Sequence, residues 1–123
     1  MAGLTGAAGE AWVAQYLEAQ GWHILARRWR TREAEVDLIA QQNQILIFVE
    51  VKTRRAGNWD AGGRSSVSLR KQHQIALGAA QFLAQHPTYI HHNCRFDVAI
   101  VAAQGSTFRL TEYLANAFDS GWG

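Results

Sequence analysis

The sequence predicts an α/β domain in which a mixed central sheet is flanked by helices. Apolar residues recur at helical spacing in two segments, and strand-like apolar patterns fill five shorter segments. Glycine, proline or polar turn residues separate these segments. The elements therefore follow the order α-β-β-β-α-β-β, which is typical of a sheet covered by helices. A chain of 123 residues fits a single domain, 1–123.

The first helix is predicted over Gly6 to Gln20, and Trp22 to Arg30 follows as a strand. Gly21 separates the two, because glycine readily adopts the left-handed backbone conformation that ends many helices. Aromatic and aliphatic residues recur in the helix at helical spacing: Trp12, Val13, Tyr16 and Leu17.

A hairpin is predicted next, with strands over Glu33 to Ala40 and Ile45 to Arg54. A polar turn of four residues, 41–44, pairs Asp37 with Phe48. Directly opposed residues share a face of the sheet, and side chains alternate along each strand. The pairing therefore places five side chains on one side of the hairpin: Glu35, Asp37, Phe48, Glu50 and Lys52.

The remaining segments complete the sheet. A stretch rich in glycine and serine, 56–66, predicts a loop. It leads to a helix over Leu69 to His86, with Ser68 as the N-cap. Two strands, Cys94 to Ala103 and Thr107 to Leu114, follow and are joined by a short turn that contains glycine.

The hairpin carries carboxylates in a strand that otherwise reads as buried. Asp37 and Glu50 are expected as diagonal neighbours, with backbones roughly 7–8 Å apart, so both can reach one hard cation. Buried carboxylates are normally paired or bound to metal. Lys52 offsets one charge, and Mg²⁺ or Mn²⁺ would offset the rest. A plain Lys–Glu ion pair on an exposed sheet face is the alternative.

These residue types suit the hydrolysis of a phosphodiester. A metal held by Asp37 and Glu50 lowers the pKa of a bound water and neutralises developing negative charge. Lys52 can orient that water and stabilise the transition state. The sequence therefore predicts Asp37, Glu50 and Lys52 as catalytic residues.

Basic residues are concentrated around the hairpin. Ten of the twelve Lys and Arg residues lie between Arg27 and Lys71, although the net charge is only +2. This polarity suits a polyanion, and a solvated basic face is the alternative. Trp29 and Trp59 are candidates for stacking on bases. The side chains predicted to contact nucleic acid are Arg28, Arg30, Arg32, Arg54, Arg55 and Lys71.

With these motifs the chain resembles the YraN family of small bacterial proteins, which is related to the restriction-endonuclease-like PD-(D/E)xK nucleases. The Glu-Val-Lys tripeptide is a weak signal alone, and its combination with the other motifs is specific. The resemblance covers residues 6–118 through these segments: Gly6-Ala7-Ala8-Gly9-Glu10, Glu35-Val36-Asp37-Leu38-Ile39, Phe48-Val49-Glu50-Val51-Lys52-Thr53-Arg54, Lys71-Gln72, Arg95-Phe96-Asp97 and Asn116-Ala117-Phe118.

The resemblance implies a restriction-endonuclease-like core in which Glu10 joins Asp37 and Glu50 as a metal ligand. From the sequence alone, Glu10 in the first turn of a helix also complements the helix dipole, so both roles stay open. The layout is similar to that of Holliday-junction resolvases, which implies branched or structured DNA as substrate and a homodimer. Two positions depart from the family pattern, Ala34 in place of Gly and Arg28 in place of Asn, and neither removes a ligand.

The sequence thus predicts a Mg²⁺- or Mn²⁺-dependent endonuclease acting on DNA. The alternatives are a nucleic-acid-binding protein of the same fold without turnover, and a scaffold protein whose hairpin charges are structural. Cys94 is the single cysteine, which excludes an internal disulfide and is typical of a cytoplasmic protein. No segment approaches the ~20 apolar residues that span a bilayer, so no membrane partner is expected. Asp97 is expected to make a structural polar contact.

Overall fold

A computed structural model describes residues 6–55 and 67–119, and these residues form the predicted mixed α/β fold. The predicted loop 56–66, which includes Trp59, lies outside the described residues. Neither α-helix of the described part is long and apolar enough to cross a lipid bilayer. In chain order the elements are α1 Gly6–Ala19, β1 His23–Arg30, β2 Glu35–Gln42, β3 Ile45–Arg55, α2 Leu69–Gln85, a 3₁₀ turn Pro87–Tyr89, β4 Asn93–Gln104 and β5 Thr107–Leu114.

The described strands form one sheet in the order β1-β2-β3-β4-β5. Neighbouring strands are antiparallel, except that β3 and β4 are parallel. The segment between β3 and β4 includes α2, as parallel neighbours require a crossover connection. The parallel ladder runs along the whole of β3, from Ile45 opposite Asn93 to Arg55 opposite Ala103. The strand that carries the Glu-Val-Lys tripeptide is therefore the centre of the sheet.

The end of α1 and the start of α2 lie where the sequence predicts them. Gly21 adopts a φ of +94° directly after α1, which confirms the predicted left-handed stop. The hydroxyl of Ser68 accepts a hydrogen bond of 3.1 Å from the N–H of Lys71, which confirms the N-cap of α2.

The connection between β1 and β2 is a tight turn held by Thr31. The Thr31 hydroxyl accepts hydrogen bonds from the N–H groups of Glu33 and Ala34, at 3.2 and 3.0 Å. The Thr31 N–H also donates to the carbonyl of Ala34 at 2.9 Å. Because this turn occupies residues 31–34, β2 begins at Glu35 and not at the predicted Glu33.

The turn between β2 and β3 contains two residues and not the predicted four. The glutamines before Asn43 extend β2, and Asn43 takes a φ of +55°, which asparagine tolerates. Ile39 therefore faces Phe48, and the predicted pairing of Asp37 with Phe48 is wrong by two positions. Continued along the strands, the observed register places Asp37 level with Glu50. The two carboxylates are thus closer in register than predicted.

The sheet is covered on both faces, so β3 is buried on both sides. Its successive side chains alternate between two apolar clusters, with Phe48 on the α2 side and Val49 on the α1 side. Burial of each such side chain stabilises the fold by roughly 1.5–3 kcal/mol. The α1 side includes Val13, Leu17, Leu38, Ile47 and Val49, and the α2 side includes Phe48, Ile75, Phe82, Phe96 and Ile100.

Helix α1 lies close to β3 at Gly9. A Cβ atom at this position would overlap the Oγ1 atom of Thr53. That hydroxyl is buried and has no hydrogen-bond partner among the described residues. Gly9 directly precedes Glu10, so the close approach also fixes where Glu10 is held over the sheet.

We expect Gly9→Ala to lower the free energy of unfolding by about 1–3 kcal/mol, because the added methyl group overpacks the contact with Thr53. Urea unfolding measures this change. The matched control is Gly6→Ala, whose Cβ meets nothing within 4 Å. Adding Thr53→Ala to Gly9→Ala should restore most of the lost stability, and a double variant as unstable as Gly9→Ala would contradict this explanation.

Candidate functional site

Three acidic side chains from three elements lie beside the sheet, and Asp37 is a neighbour of each of the other two. Glu10 lies on α1, Asp37 on β2 and Glu50 on β3. Asp37 is 8% exposed and Glu50 is 5% exposed, while the Glu10 side chain is 14% exposed. The negative charge of Asp37 raises the pKa of Glu10 and that of Glu50.

The backbone ladder between β2 and β3 stops at this point. Its last pair is Leu38 with Val49, and beyond it the Asp37 carboxylate accepts a hydrogen bond of 2.8 Å from the N–H of Val51. Val36 and Leu38 pack into clusters on opposite faces of the sheet, so the usual alternation breaks at the residue between them. The break places Asp37 where the two strands part.

Glu50 has two lysine neighbours but no short contact with either. Its Oε2 atom lies 3.8 Å from Lys52 Nζ, and its Oε1 atom lies 3.9 Å from Lys71 Nζ. Both distances exceed that of a direct hydrogen bond, and the buried Oε1 has no hydrogen-bond partner among the described residues. Burial, followed by the charge of Asp37, raises the pKa of Glu50 to about 8, although the lysines act in the opposite direction.

Glu10, like Glu50, has a basic neighbour but no short contact with it. Its Oε1 atom lies 3.6 Å from Arg28 Nε and lacks a hydrogen-bond partner in the described part of the chain. Burial, followed by the charge of Asp37, raises the pKa of Glu10 to about 7. No acidic residue lies in the first turn of α1, so the helix-dipole alternative for Glu10 is wrong.

The donor set fits a hard divalent cation. Carboxylate oxygens are the ligands that Mg²⁺ prefers, and it commonly uses one or two of them with water completing the shell. The unpartnered oxygens of Glu10 and Glu50 are groups that a cation would satisfy. Within residues 6–55 and 67–119, no three Asp, Glu, His or Cys side chains converge as a complete metal-binding cluster. The fit is therefore to an open site with few protein ligands.

Three of the predicted nucleic-acid contacts line one groove of about 390 Å³ between the β1–β2 turn and α2. Gln81 of α2 fixes the turn by accepting a hydrogen bond of 2.6 Å from Thr31 and donating one of 3.0 Å to Glu33. Lys71 lines the groove and also faces Glu50, so the groove adjoins the carboxylates. The lining residues are Arg30, Thr31, Arg32, Glu33, Ala34, Glu35, Lys71 and Gln74.

The other predicted basic contacts lie elsewhere. Arg54 and Arg55 end β3 and do not line the groove, and Arg28 faces Glu10. Sequence reasoning did not predict the other five groove residues as contacts, and Thr31 and Gln74 are the uncharged polar residues among them. A threonine followed by a polar turn is a local signal that could have indicated Thr31. Gln74 has no such signal, because its role depends on how α2 packs.

A separate acidic residue, Asp97, has the structural role that the sequence predicts. It is fully buried, and the Arg95 guanidinium donates two hydrogen bonds of 2.9 Å to it. The Tyr113 hydroxyl and the Asn116 N–H donate at 2.6 and 2.9 Å. Asp97 is thus satisfied by neighbouring groups and stabilises the junction of β4 with the end of β5.

The candidate site lies in the part of the chain that matches a known protein family. The sequence model of "Uncharacterised protein family UPF0102" matches residues 9–101. The chain belongs to this family. That match confirms the predicted family and spans the three carboxylates and both lysines.

Named relatives resemble the chain over most of their length. A UPF0102 protein of Synechococcus sp. is 48% identical over 119 residues, which covers 94% of this chain and 90% of the relative. A UPF0102 protein of Nostoc sp. is 48% identical over 127 residues, covering 90% and 91%. One of Synechocystis sp. is 52% identical over 103 residues, covering 82% and 69%.

The raised pKa of Glu50 predicts how stability depends on pH without metal. The folded state retains the Glu50 proton up to about pH 8, whereas the ordinary value is 4.5. The folded state therefore binds more protons between these values, and the free energy of unfolding falls as pH rises through them. We expect the free energy of unfolding of Glu50→Gln to decrease over this pH range by about 1–3 kcal/mol less than that of the wild-type chain, because glutamine does not titrate.

Urea unfolding in EDTA across this pH range tests the expectation. Glu18→Gln is the matched control, because it makes the same change at an exposed position of α1. Equal pH dependence of the wild-type chain and Glu50→Gln would contradict the assignment.

Proposed function

We propose that the chain is a divalent-metal-dependent nuclease that hydrolyses phosphodiester bonds in DNA. The observation that carries the proposal is the opening of the sheet at Asp37, where Glu10 and Glu50 each have a buried oxygen without a hydrogen-bond partner among the described residues. The nearest basic groups lie 3.6 Å and 3.9 Å from these oxygens, and burying a carboxylate oxygen without a hydrogen-bond donor is unfavourable. The predicted relation to restriction-endonuclease-like nucleases is consistent with such a site.

Mg²⁺ or Mn²⁺ is the proposed cofactor, with Asp37 and Glu50 as ligands and Glu10 in support. When bound, the cation would supply a Lewis acid that activates water and neutralises charge at the phosphate. The carboxylates contribute fixed negative charge, which is why divalent ions would be preferred to monovalent ones.

The two lysines would stabilise the charge that develops during hydrolysis. The Lys52 side chain is 38% exposed, so its ammonium can contact a phosphoryl oxygen while it remains near Glu50. Lys71 comes from α2 and approaches the other oxygen of Glu50. Positive charges held at two positions around a phosphate favour the transition state over the ground state, because negative charge increases there.

The groove beside the site supports nucleic acid as the substrate. Arg30, Arg32 and Lys71 line it and can contact successive phosphates. The resemblance to Holliday-junction resolvases makes branched or structured DNA the substrate to test first. It also suggests a homodimer, since two sites are needed to cut both strands of a junction.

A nucleic-acid-binding protein without turnover is the second candidate. One observation favours it, namely that no three metal-ligand side chains converge among the described residues. The groove would serve this function equally well. The two candidates differ in whether the chain cleaves the nucleic acid that it binds.

We expect the purified chain to cleave labelled duplex, single-stranded or branched DNA in Mn²⁺ and not in EDTA. Asp37→Asn should reduce the cleavage rate on the order of 100-fold or more, because it removes the central charge of the site. Asparagine keeps an oxygen that can accept the hydrogen bond from Val51, so folding is preserved. Gel analysis of single-turnover cleavage provides the measurement.

Glu18→Gln serves again as the matched carboxylate-to-amide control and should cleave at the wild-type rate. Cleavage that persists in EDTA, or in Asp37→Asn, would contradict the mechanism. Binding without cleavage of any of the three substrates would establish the second candidate.

We expect Arg32→Gln to weaken DNA binding about three- to tenfold and to reduce the salt dependence by about one phosphate contact. Fluorescence anisotropy in EDTA across a range of salt concentrations measures both. Arg109→Gln is the control, since Arg109 is exposed on β5 at the opposite edge of the sheet. Equal losses in the two variants would show that the groove is not the binding surface.

A further inference from the structure

Arg28 has an unusual backbone conformation for a residue inside a strand. Its φ is +49°, in the left-handed region that favours glycine and asparagine. Arginine adopts this conformation less readily than glycine or asparagine, so the backbone at Arg28 is strained.

The position of Arg28 relates it directly to the carboxylates. In the β1–β2 ladder, Arg27 pairs with Leu38 and Trp29 pairs with Val36, so Arg28 lies opposite Asp37. The residue with the strained backbone thus faces the central acid of the site.

The side chains of Arg28 and Trp29 point in different directions, as those of neighbouring strand residues do. The Trp29 ring contacts Phe82 of α2, with ring centroids 5.5 Å apart. The Arg28 guanidinium instead approaches Glu10 of α1, with Nε 3.6 Å from Oε1. The positive charge of Arg28 therefore lies beside the acid on α1.

The ion pair between Arg28 and Glu10 is a loose one. Its distance is longer than a hydrogen bond, and the Arg28 side chain is 51% exposed while that of Glu10 is 14% exposed. By contrast, Arg30 Nε donates a 3.2 Å hydrogen bond to Glu35 in the groove. A carboxylate held at this distance from an exposed guanidinium can exchange that partner for a divalent cation.

We propose that Arg28 is a positioning residue that competes with the divalent cation for Glu10 and so lowers the affinity of the site for metal. This inference rests on the proposed metal-dependent function. Arg28 holds Glu10 in place when no cation is bound, and its charge repels a cation that enters beside Asp37. Removing the charge at position 28 therefore tightens cation binding.

Calorimetric titration with Mn²⁺ alone, without nucleic acid and at about 0.15 M salt to screen distant charges, tests this. Arg28→Gln removes the charge and keeps a side chain with the same backbone preference. It should bind Mn²⁺ about three- to tenfold more tightly than the wild-type chain. Arg28→Lys restores the charge and should return the affinity to within about twofold of wild type. The matched control Arg109→Gln should also stay within about twofold, because Arg109 is exposed on β5 at the opposite edge of the sheet.

Unchanged or weaker Mn²⁺ binding in Arg28→Gln would overturn the inference and leave the proposed function standing. Absence of Mn²⁺ binding in the wild-type chain and in every variant would overturn both. Arg28→Asn separates charge from backbone, because asparagine tolerates the left-handed conformation. It should match Arg28→Gln in Mn²⁺ affinity and melt at a higher temperature in EDTA. An affinity that differs between these two variants would assign the effect to the backbone and overturn the inference.

Discussion

The arrangement of the site depends on the hydrogen bond from the Val51 N–H to the Asp37 carboxylate. It lies where the β2–β3 ladder ends, and there a side chain replaces a backbone carbonyl as acceptor. Because the bond uses one oxygen of Asp37, the carboxylate is oriented along the gap between the strands. Glu50 is level with it on β3, and Glu10 reaches it from α1. Loss of this bond would free Asp37 to rotate and would leave a partly buried N–H without its acceptor.

The surrounding fold provides the stability that lets these acids remain buried. Glu50 follows Phe48 on the α2 side of β3, beside a cluster of aromatic rings, and Gly9 lets α1 lie close enough to bring Glu10 over the sheet. Apolar burial on both faces stabilises the strands enough to offset repulsion among the carboxylates. The same burial raises the pKa of Glu10 and of Glu50, so the fold that assembles the site also makes it electrostatically unfavourable without a counter-ion.

The sequence predicts the elements and the main acids of this site because both depend on local patterns. Alternation along the hairpin and an even-numbered turn were enough to bring Asp37 near Glu50. The register itself was wrong, because polar glutamines before Asn43 are equally compatible with a turn or with the end of a strand. The contact of Lys71 with Glu50 could not be predicted from the sequence, since it depends on how α2 packs across the sheet. The conformation of Arg28 could not be predicted either, because the residue type arginine gives no indication of a positive φ.

Asp97 and Glu50 show two different ways in which this fold treats a buried acid. Asp97 receives four hydrogen bonds, from a guanidinium, a phenol and a backbone N–H. Glu50 lies one strand away and receives only two lysines at 3.8 and 3.9 Å, with one oxygen unpartnered among the described residues. The chain can therefore satisfy a carboxylate completely where the role is structural. Incomplete satisfaction at Glu50 and Glu10, next to an oriented Asp37, is the physical reason for assigning function to these acids rather than to Asp97.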